Sequence, residues 1–497
     1  MAVFSRMDVF VRKEECAGGT RLMRKDIEER HIDRKDNQRS PSYFLRITKR
    51  LNGMMKRVLI ITYYWPPSGG SGVQRWVKFA KYLPAVGWQP VIYTPENPEL
   101  TTIDKTLAAE IPPEAEVVKS HIFEPYGIYR KLMGKGSSTD LKTLTAANAG
   151  NDEVNPINGQ RKSWKQKLSL FIRGNFFIPD PRVMWVRPSV RFLKKYLEDH
   201  PVDAIVTTGP PQSMHLIGLR LSKATGLPWV ADFRDPWTRM FYFKHLGLTS
   251  WSERKHHRLE RAVLDGATKV IAVSPLVQDE FKAMTKTPVE LITNGYDEED
   301  FNKNVELDEN FNITHTGLFA SDGNPETLWK VLAQKCEEDG EFRRSLRIRL
   351  VGKTDKEITD SIEEAGLGGN LKDFGYQDHE TAVREQLNAS ILILPLRKEP
   401  EYRAVLPGKL FEYLASRRPI LGIGQTDGAM ARIVGETGSG VVYDWDDEKK
   451  IKAWVDFCWE EFRNDELKDN ASDISRFTRR NLTVKLAELL NQITEKQ

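Results

Sequence analysis

Arg57-Val-Leu-Ile-Ile-Thr62 sets four apolar residues side by side with no polar alternation. Strands covered on both faces read this way, and such strands belong to parallel sheets. A glycine-rich loop follows at once, Tyr63-Tyr-Trp-Pro-Pro-Ser-Gly-Gly-Ser-Gly72, then a helical stretch from Val73 to Leu83 and a strand from Pro90 to Thr94. Parallel neighbours need a crossover between them, usually a helix. The opening of the chain is thus a strand–loop–helix–strand unit at Rossmann spacing.

The alternation continues. Strands are expected at Ala204–Thr207, Trp229–Asp232, Lys269–Ala272 and Val289–Thr293, with helices at Ser213–Thr225 and Trp251–Asp265. A second series opens at Asn312-Ile-Thr-His-Thr-Gly317. Its strands are Leu346–Val351, Leu371–Phe374, Ser390–Pro395, Pro419–Gly422 and Gly440–Tyr443, separated by helices Pro325–Glu338, Lys356–Ala365, Glu380–Asn388 and Lys409–Ser416. At 497 residues the chain exceeds one compact core. The reading is α/β, with two doubly wound Rossmann-like domains at 55–300 and 301–460 and a helical tail at 461–497. Residues 1–54 read as an appendage, with translation beginning at Met54 or Met55.

Charge narrows the partners. Residues 1–55 hold 13 Lys/Arg against 8 Asp/Glu, and the remainder holds 61 against 62. The net +4 therefore comes from the extension, and the charge of the body gives no case for nucleic-acid binding. Cys16, Cys336 and Cys458 lie far apart with no C-x-x-C pair, which suits a reducing compartment without a structural zinc site. The longest apolar runs are strand-sized, well short of the roughly 18 residues of a membrane span, and no signal core opens the chain. A cytoplasmic protein is expected. An insertion near 134–175 interrupts the first domain. The aromatic and basic stretch from Trp164 to Trp185, with Trp164, Phe171, Phe176, Phe177 and Trp185 beside Lys165, Lys167 and Arg173, could pack on its own domain or touch an acceptor or, peripherally, a membrane.

Two loops carry chemistry. In Ser68-Gly69-Gly70-Ser71-Gly72, glycines let a ligand approach the backbone at a helix N-terminus, where a phosphate or sugar oxygen is the natural guest. A tight turn explains the same residues. The second loop is Pro407-Gly408-Lys409-Leu-Phe-Glu412, ahead of Tyr-Leu-Ala-Ser-Arg-Arg-Pro419. Pro-Gly frees the first backbone N–H groups. Lys409, in the first helical turn, is electrostatically unfavourable unless an anion lies nearby. Glu412, one turn on, suits the two adjacent hydroxyls of a ribose.

Together Lys56–Thr94, Asp232-Phe-Arg-Asp-Pro-Trp237, Ala272-Val-Ser274, Thr293-Asn-Gly-Tyr-Asp297 and Pro407–Pro419 resemble glycosyltransferase family 4 and its GT-B relatives, in order and spacing over about residues 56–460. The resemblance implies two facing Rossmann-like domains, the C-terminal one holding a UDP- or GDP-linked sugar and the N-terminal one the acceptor. It implies retention of anomeric configuration, no metal and no cofactor. Glu412 would bind the donor ribose and Lys409 the diphosphate, with Gly408 setting their turn. Gly70 and Gly72 would lie against the donor phosphates or sugar, and Gly317 against the diphosphate. Asn294-Gly295 would make the interdomain turn, with Gly295 at positive φ.

The pattern also departs from the family. The first of two glutamates spaced as in the family is replaced by Ala404, with Glu399 and Glu401 upstream as substitutes. The loop Phe319-Ala-Ser-Asp-Gly-Asn324 lacks the family's cations, and Lys353 is the compensating candidate. The usual histidine gives way to Thr208-Gly209-Pro210-Pro211, leaving His215 further on. Catalytic candidates are Arg234, Asp235 and His215. Asp444-Trp445-Asp446 resembles a metal triplet but reads as an exposed turn. The acceptor could be a glycan, a lipid-linked sugar or a small molecule. A nucleotide-sugar epimerase and a degenerate, non-catalytic binding subunit are the competing readings.

Overall fold

The structure is a computed structural model that describes residues 55–99, 103–104, 106–123, 171–172, 174–241, 243–302, 305, 307–467 and 473–495. The extension 1–54, most of the insertion, and Trp164, Lys165, Lys167 and Arg173 fall outside these residues.

The first sheet contains β1 (Lys56–Ile61), β2 (Trp88–Pro95), β3 (Glu116–Ser120), β4 (Ala204–Gly209), β5 (Trp229–Phe233), β6 (Lys269–Ala272) and β7 (Val289–Leu291). All its pairings are parallel, in the order β3-β2-β1-β4-β5-β6-β7. Its helices are α1 (Ser71–Tyr82), α2 (Val183–Asp199), α3 (Ser213–Thr225), α4 (Ser250–Gly266) and α5 (Pro275–Met284). The second sheet comprises β8 (Phe311–Thr316), β9 (Leu346–Val351), β10 (Leu371–Asp373), β11 (Ile391–Pro395), β12 (Ile420–Ile423) and β13 (Gly440–Tyr443). It is parallel throughout, in the order β10-β9-β8-β11-β12-β13. Both domains thus show the doubly wound order in which the chain reverses direction beside the first strand, and ligands bind at that reversal. A one-turn helix α6 (Glu298–Phe301) links them, and α7 (Glu326–Glu338), α8 (Gly340–Ser345), α9 (Lys356–Glu364), α10 (His379–Leu387), α11 (Gly408–Ser416), α12 (Ala429–Thr437) and α13 (Glu448–Arg463) cover the second sheet.

Each sheet has its own core. Val58 to Ile61 are fully buried against Trp76, Val77 and Ile217, and Ile391 to Ile393 against Trp329, Phe411 and Trp459. The last helix, α14 (Arg479–Thr494), does not stay with the second domain. Leu482, Leu486, Leu489, Leu490 and Ile493 form its apolar stripe and are buried in the first core. Lys56, Trp88 and Lys269 of the first domain donate to Thr494, Asn491 and Gln492 at 3.0, 3.2 and 2.8 Å.

The chain therefore crosses between domains twice, and the two crossings touch. Tyr296 N–H donates to Phe477 O and Arg479 N–H to Tyr296 O, at 3.1 and 2.8 Å. Gly295 is glycine for this contact and not for a left-handed backbone: its φ is not positive, and a Cβ there would lie 2.1 Å from Phe477 O. Asp444 and Asp446 are exposed in the turn before α13, while Trp445 between them is buried and donates to Leu396 O at 3.0 Å. Cys336 and Cys458 are buried free thiols. Of the aromatic stretch, Phe176 is 72% exposed, whereas Trp185 is buried and stacks on Tyr93 at 4.9 Å. Among the described residues no helix is long and apolar enough to cross a membrane.

Candidate active site in the interdomain cleft

The loops that leave the C-terminal ends of the strands face one another across the cleft. Between them lies a cavity of about 530 Å³, lined from the first domain by Gly72, Arg234 and Asp235 and from the second by Glu401, Ala404 and Gly408, among others. A smaller cavity of about 70 Å³ adjoins it, lined by His315, Leu318, Asp322, Arg397 and Lys409. Tyr402, Val405 and Pro407 line both.

On the first-domain side, α1 is anchored by a buried ion pair. Arg75 Nη2 lies 2.9 Å from Asp232 Oδ1, with both side chains fully buried. Asp232 also accepts from Trp76 Nε1 at 2.8 Å and Thr208 Oγ1 at 2.9 Å. Arg75 donates further to Thr293 O and Ile292 O, at 2.7 and 2.9 Å, so the pair ties α1 to β5 and to the interdomain linker. Two residues beyond Asp232, Arg234 folds back, its guanidinium donating to Pro210 O. It packs so closely on α1 that a Cβ at Gly72 would sit 2.0 Å from Arg234 Nη1. Gly72 and Arg234 thus pack together on the first-domain wall of the cavity. Gly70 serves as the N-cap of α1 with φ 103, a left-handed position that favours glycine. Gly72→Ala is expected to dislodge Arg234 and lower kcat/KM by about 10–100-fold with the fold retained, measured by steady-state assay beside circular dichroism.

On the second-domain side, α11 begins at Gly408 with no side-chain cap and no acidic residue in its first turn. A helix start of this kind carries a partial positive charge, and here Leu410 N–H turns back to Pro407 O at 3.1 Å. Lys409 Nζ turns toward β8, donating to Leu318 O at 3.0 Å and lying 3.2 Å from His315 Nε2. Gly317, at φ 87, would bring a Cβ to 3.4 Å from that ammonium. Lys409, Gly317 and the start of α11 are therefore brought together. Glu412 lies one turn deeper, accepts from Gln386 Nε2 at 3.0 Å and lines neither cavity.

Contacts between domains cross the cleft. Lys244 pairs with Glu401 at 2.5 Å, and Phe241 packs on Tyr402 with ring centroids 5.2 Å apart. Arg397 lies 5.1 Å from the Phe241 ring centre and 5.4 Å from that of Tyr402, and pairs with Asp322 at 2.9 Å. Burial raises the Glu401 pKa, but its bond to Lys244 and nearby charge outweigh this and hold it below the ordinary range. Its second oxygen, Oε2, is buried without a hydrogen-bond partner.

The remaining candidates lie elsewhere. His215 is fully buried, hydrogen-bonded through Nδ1 to Thr207 at 2.8 Å and stacked on Phe233 at 4.4 Å. Burial pushes its pKa down to about 3, so it stays neutral, and it lines neither cavity. Lys353 is exposed and also outside both cavities, while its carbonyl accepts from Phe319 N–H at 2.9 Å. Sequence reasoning missed His315 and Arg397. A histidine inside an apolar strand was the one available signal for the first, and a cation two residues past a strand end for the second.

Two parallel, doubly wound sheets facing a shared cleft define the GT-B class. Residues 159–300 match the family model described as Glycosyltransferase Family 4, and the two sheets have the arrangement of the GT-B fold. Among solved structures it is similar to sucrose-phosphate synthase from Thermosynechococcus elongatus (TM-score 0.56, 14% identity, 89% of this chain and 100% of that one). It is similar also to the UDP-forming α,α-trehalose-phosphate synthase from Burkholderia vietnamiensis (TM-score 0.52, 8% identity, 88% and 100%). A TarM variant from S. aureus, in complex with UDP among other ligands, aligns with TM-score 0.51 and 11% identity over 88% and 100%. No curated protein sequence matches.

Proposed function

We propose that the chain transfers a sugar from a nucleoside-diphosphate sugar to an acceptor hydroxyl, with retention and without a metal. The observation that carries this is Lys409: its ammonium is held at the turn after β8, beside Gly317, and it stands in the first turn of a helix that has no side-chain cap. Departure of a nucleoside diphosphate builds negative charge, and a fixed cation with aligned backbone dipoles stabilises that charge at this point. In a front-side displacement the bond from the sugar to the diphosphate breaks as the acceptor oxygen bonds on the same face, the departing phosphate oxygen takes the hydroxyl proton, and no enzymic nucleophile is required. Glu412 is assigned to the donor ribose, which would compete with Gln386 for its carboxylate. Glu401 stands in for the glutamate replaced by Ala404, since it lines the cavity with one oxygen unpartnered. Arg234 and Asp235 line the first-domain wall and are assigned to acceptor contacts. TarM with UDP, and a UDP-forming synthase, favour a uridine donor by analogy of fold. A glycan or lipid-linked acceptor, met in the cytoplasm at a membrane face, completes the proposal.

The test is a thermal-shift screen against UDP, GDP and their sugars, followed by product analysis. A ligand that binds only the native state raises stability by about 2.7 kcal/mol at a hundred times its Kd, so the right nucleotide moves Tm by several degrees. No shift with any nucleotide sinks the reading. A shift without turnover across an acceptor panel favours the degenerate binding subunit that Ala404 suggests, and epimerised donor without acceptor marks an epimerase. Turnover is expected to persist in millimolar EDTA, and its abolition there, restored by added divalent cation, contradicts the metal-free scheme.

A further inference from the structure

We propose that His315 is a positioning residue of the donor site, a neutral imidazole whose Nε2 accepts a hydrogen bond from the Lys409 ammonium and fixes it for the donor diphosphate. This rests on the reading of Lys409 as the diphosphate-binding group.

His315 lies in β8, 2% exposed, with its ring stacked on Phe319 at 4.2 Å. Nε2 is 3.2 Å from Lys409 Nζ. An ammonium only donates, so Nε2 must accept, and the imidazole proton sits on Nδ1. That Nδ1 is buried without a hydrogen-bond partner. As a packing residue histidine is a costly choice here, because an aliphatic side chain would fill the strand without stranding a polar atom. The unbonded nitrogen is explained if the ring is there for what its other nitrogen does. Burial, with the charge of Lys409 added to it, holds the imidazole pKa well below its usual value. Protonation would set a second positive charge 3.2 Å from the first. The ring therefore remains an acceptor throughout the neutral range.

A lysine has a flexible four-carbon stem and loses rotamer entropy when it is fixed on a ligand. Bonds to His315 and to Leu318 O settle the position of the charge before the donor arrives, which is preorganisation in both the binding and the catalytic sense. The arrangement matters more in a chain whose loop Phe319–Asn324 supplies no cation and whose Lys353 is exposed outside both cavities.

The test uses the full chain with isothermal titration of UDP, GDP and inorganic pyrophosphate, and donor-dependent kinetics. His315→Phe keeps ring packing on Phe319 but removes the acceptor, and His315→Gln restores an acceptor at similar reach. The phenylalanine variant is expected to bind the preferred nucleotide about tenfold more weakly, and the glutamine variant within about threefold of wild type. Adding His315→Phe to Lys409→Ala should cost nothing further, since the two act through one contact. Wild-type affinity in His315→Phe, or additive losses in the double variant, overturns the proposal while leaving the role of Lys409 intact. Wild-type affinity in Lys409→Ala overturns both. Should His315→Phe not fold, 15N NMR of histidine-labelled wild-type protein decides: an Nδ1–H tautomer at neutral pH is expected, and an Nε2–H tautomer or an imidazolium refutes it.

Discussion

Lys409→Ala is expected to lower turnover by about 10²–10³-fold, the usual cost of removing one preorganised group that stabilises developing negative charge. Ala404→Glu, which restores a carboxylate on the wall of the larger cavity, should change turnover far less. Some loss of stability accompanies the alanine variant. His315 Nε2 and Leu318 O both lose their Lys409 donor, and a stranded buried acceptor costs about 1–3 kcal/mol. The two effects separate when turnover is measured well below the variant's Tm. A variant that is folded there and turns over at the wild-type rate rules out a lysine-stabilised leaving group.

Asp232→Ala is expected to be the most destabilising single change in the first domain, at about 3–5 kcal/mol. The alanine would leave the Arg75 guanidinium buried beside an empty space, and would strand the donors of Trp76 and Thr208. Because Arg75 also holds the carbonyls of Ile292 and Thr293, the loss spreads into the interdomain linker. Urea denaturation read by tryptophan fluorescence measures it. Pairing the change with Arg75→Met should recover part of the loss, since an uncompensated charge costs more than a missing ion pair. A loss below about 1 kcal/mol would show that water reaches the pair in solution.

The two parallel sheets were legible because strands buried on both faces must be apolar runs, and runs such as Val58–Ile61 and Ile391–Leu394 announce themselves. Strand β3 was not, because Glu116-Val-Val-Lys-Ser120 is a half-buried edge strand whose charges read as loop. Helix α2 was not, because it follows a long insertion and carries Pro188 inside it, a residue that disfavours a helix interior. The site was legible where a local rule applied, as for a lysine in the first turn of α11. His315 was not, because its function lies in a contact with a residue 94 positions away, and no local pattern encodes that. Glu412 stood out for its spacing, yet its present partner, Gln386, comes from a neighbouring helix. The reason for Gly72 was only half visible. Sequence shows that a close approach is wanted there, and the structure shows that Arg234 is what approaches.

The return of α14 to the first core has a consequence for biogenesis. As the polypeptide emerges from the ribosome, the leading domain is synthesised long before the segment that seals its flank. Until the final helix is translated, a groove beside β1 and α1 stays wet and apolar. The nascent leading domain must wait, half finished, through the whole synthesis of its companion, and is a natural client for a holdase during that interval.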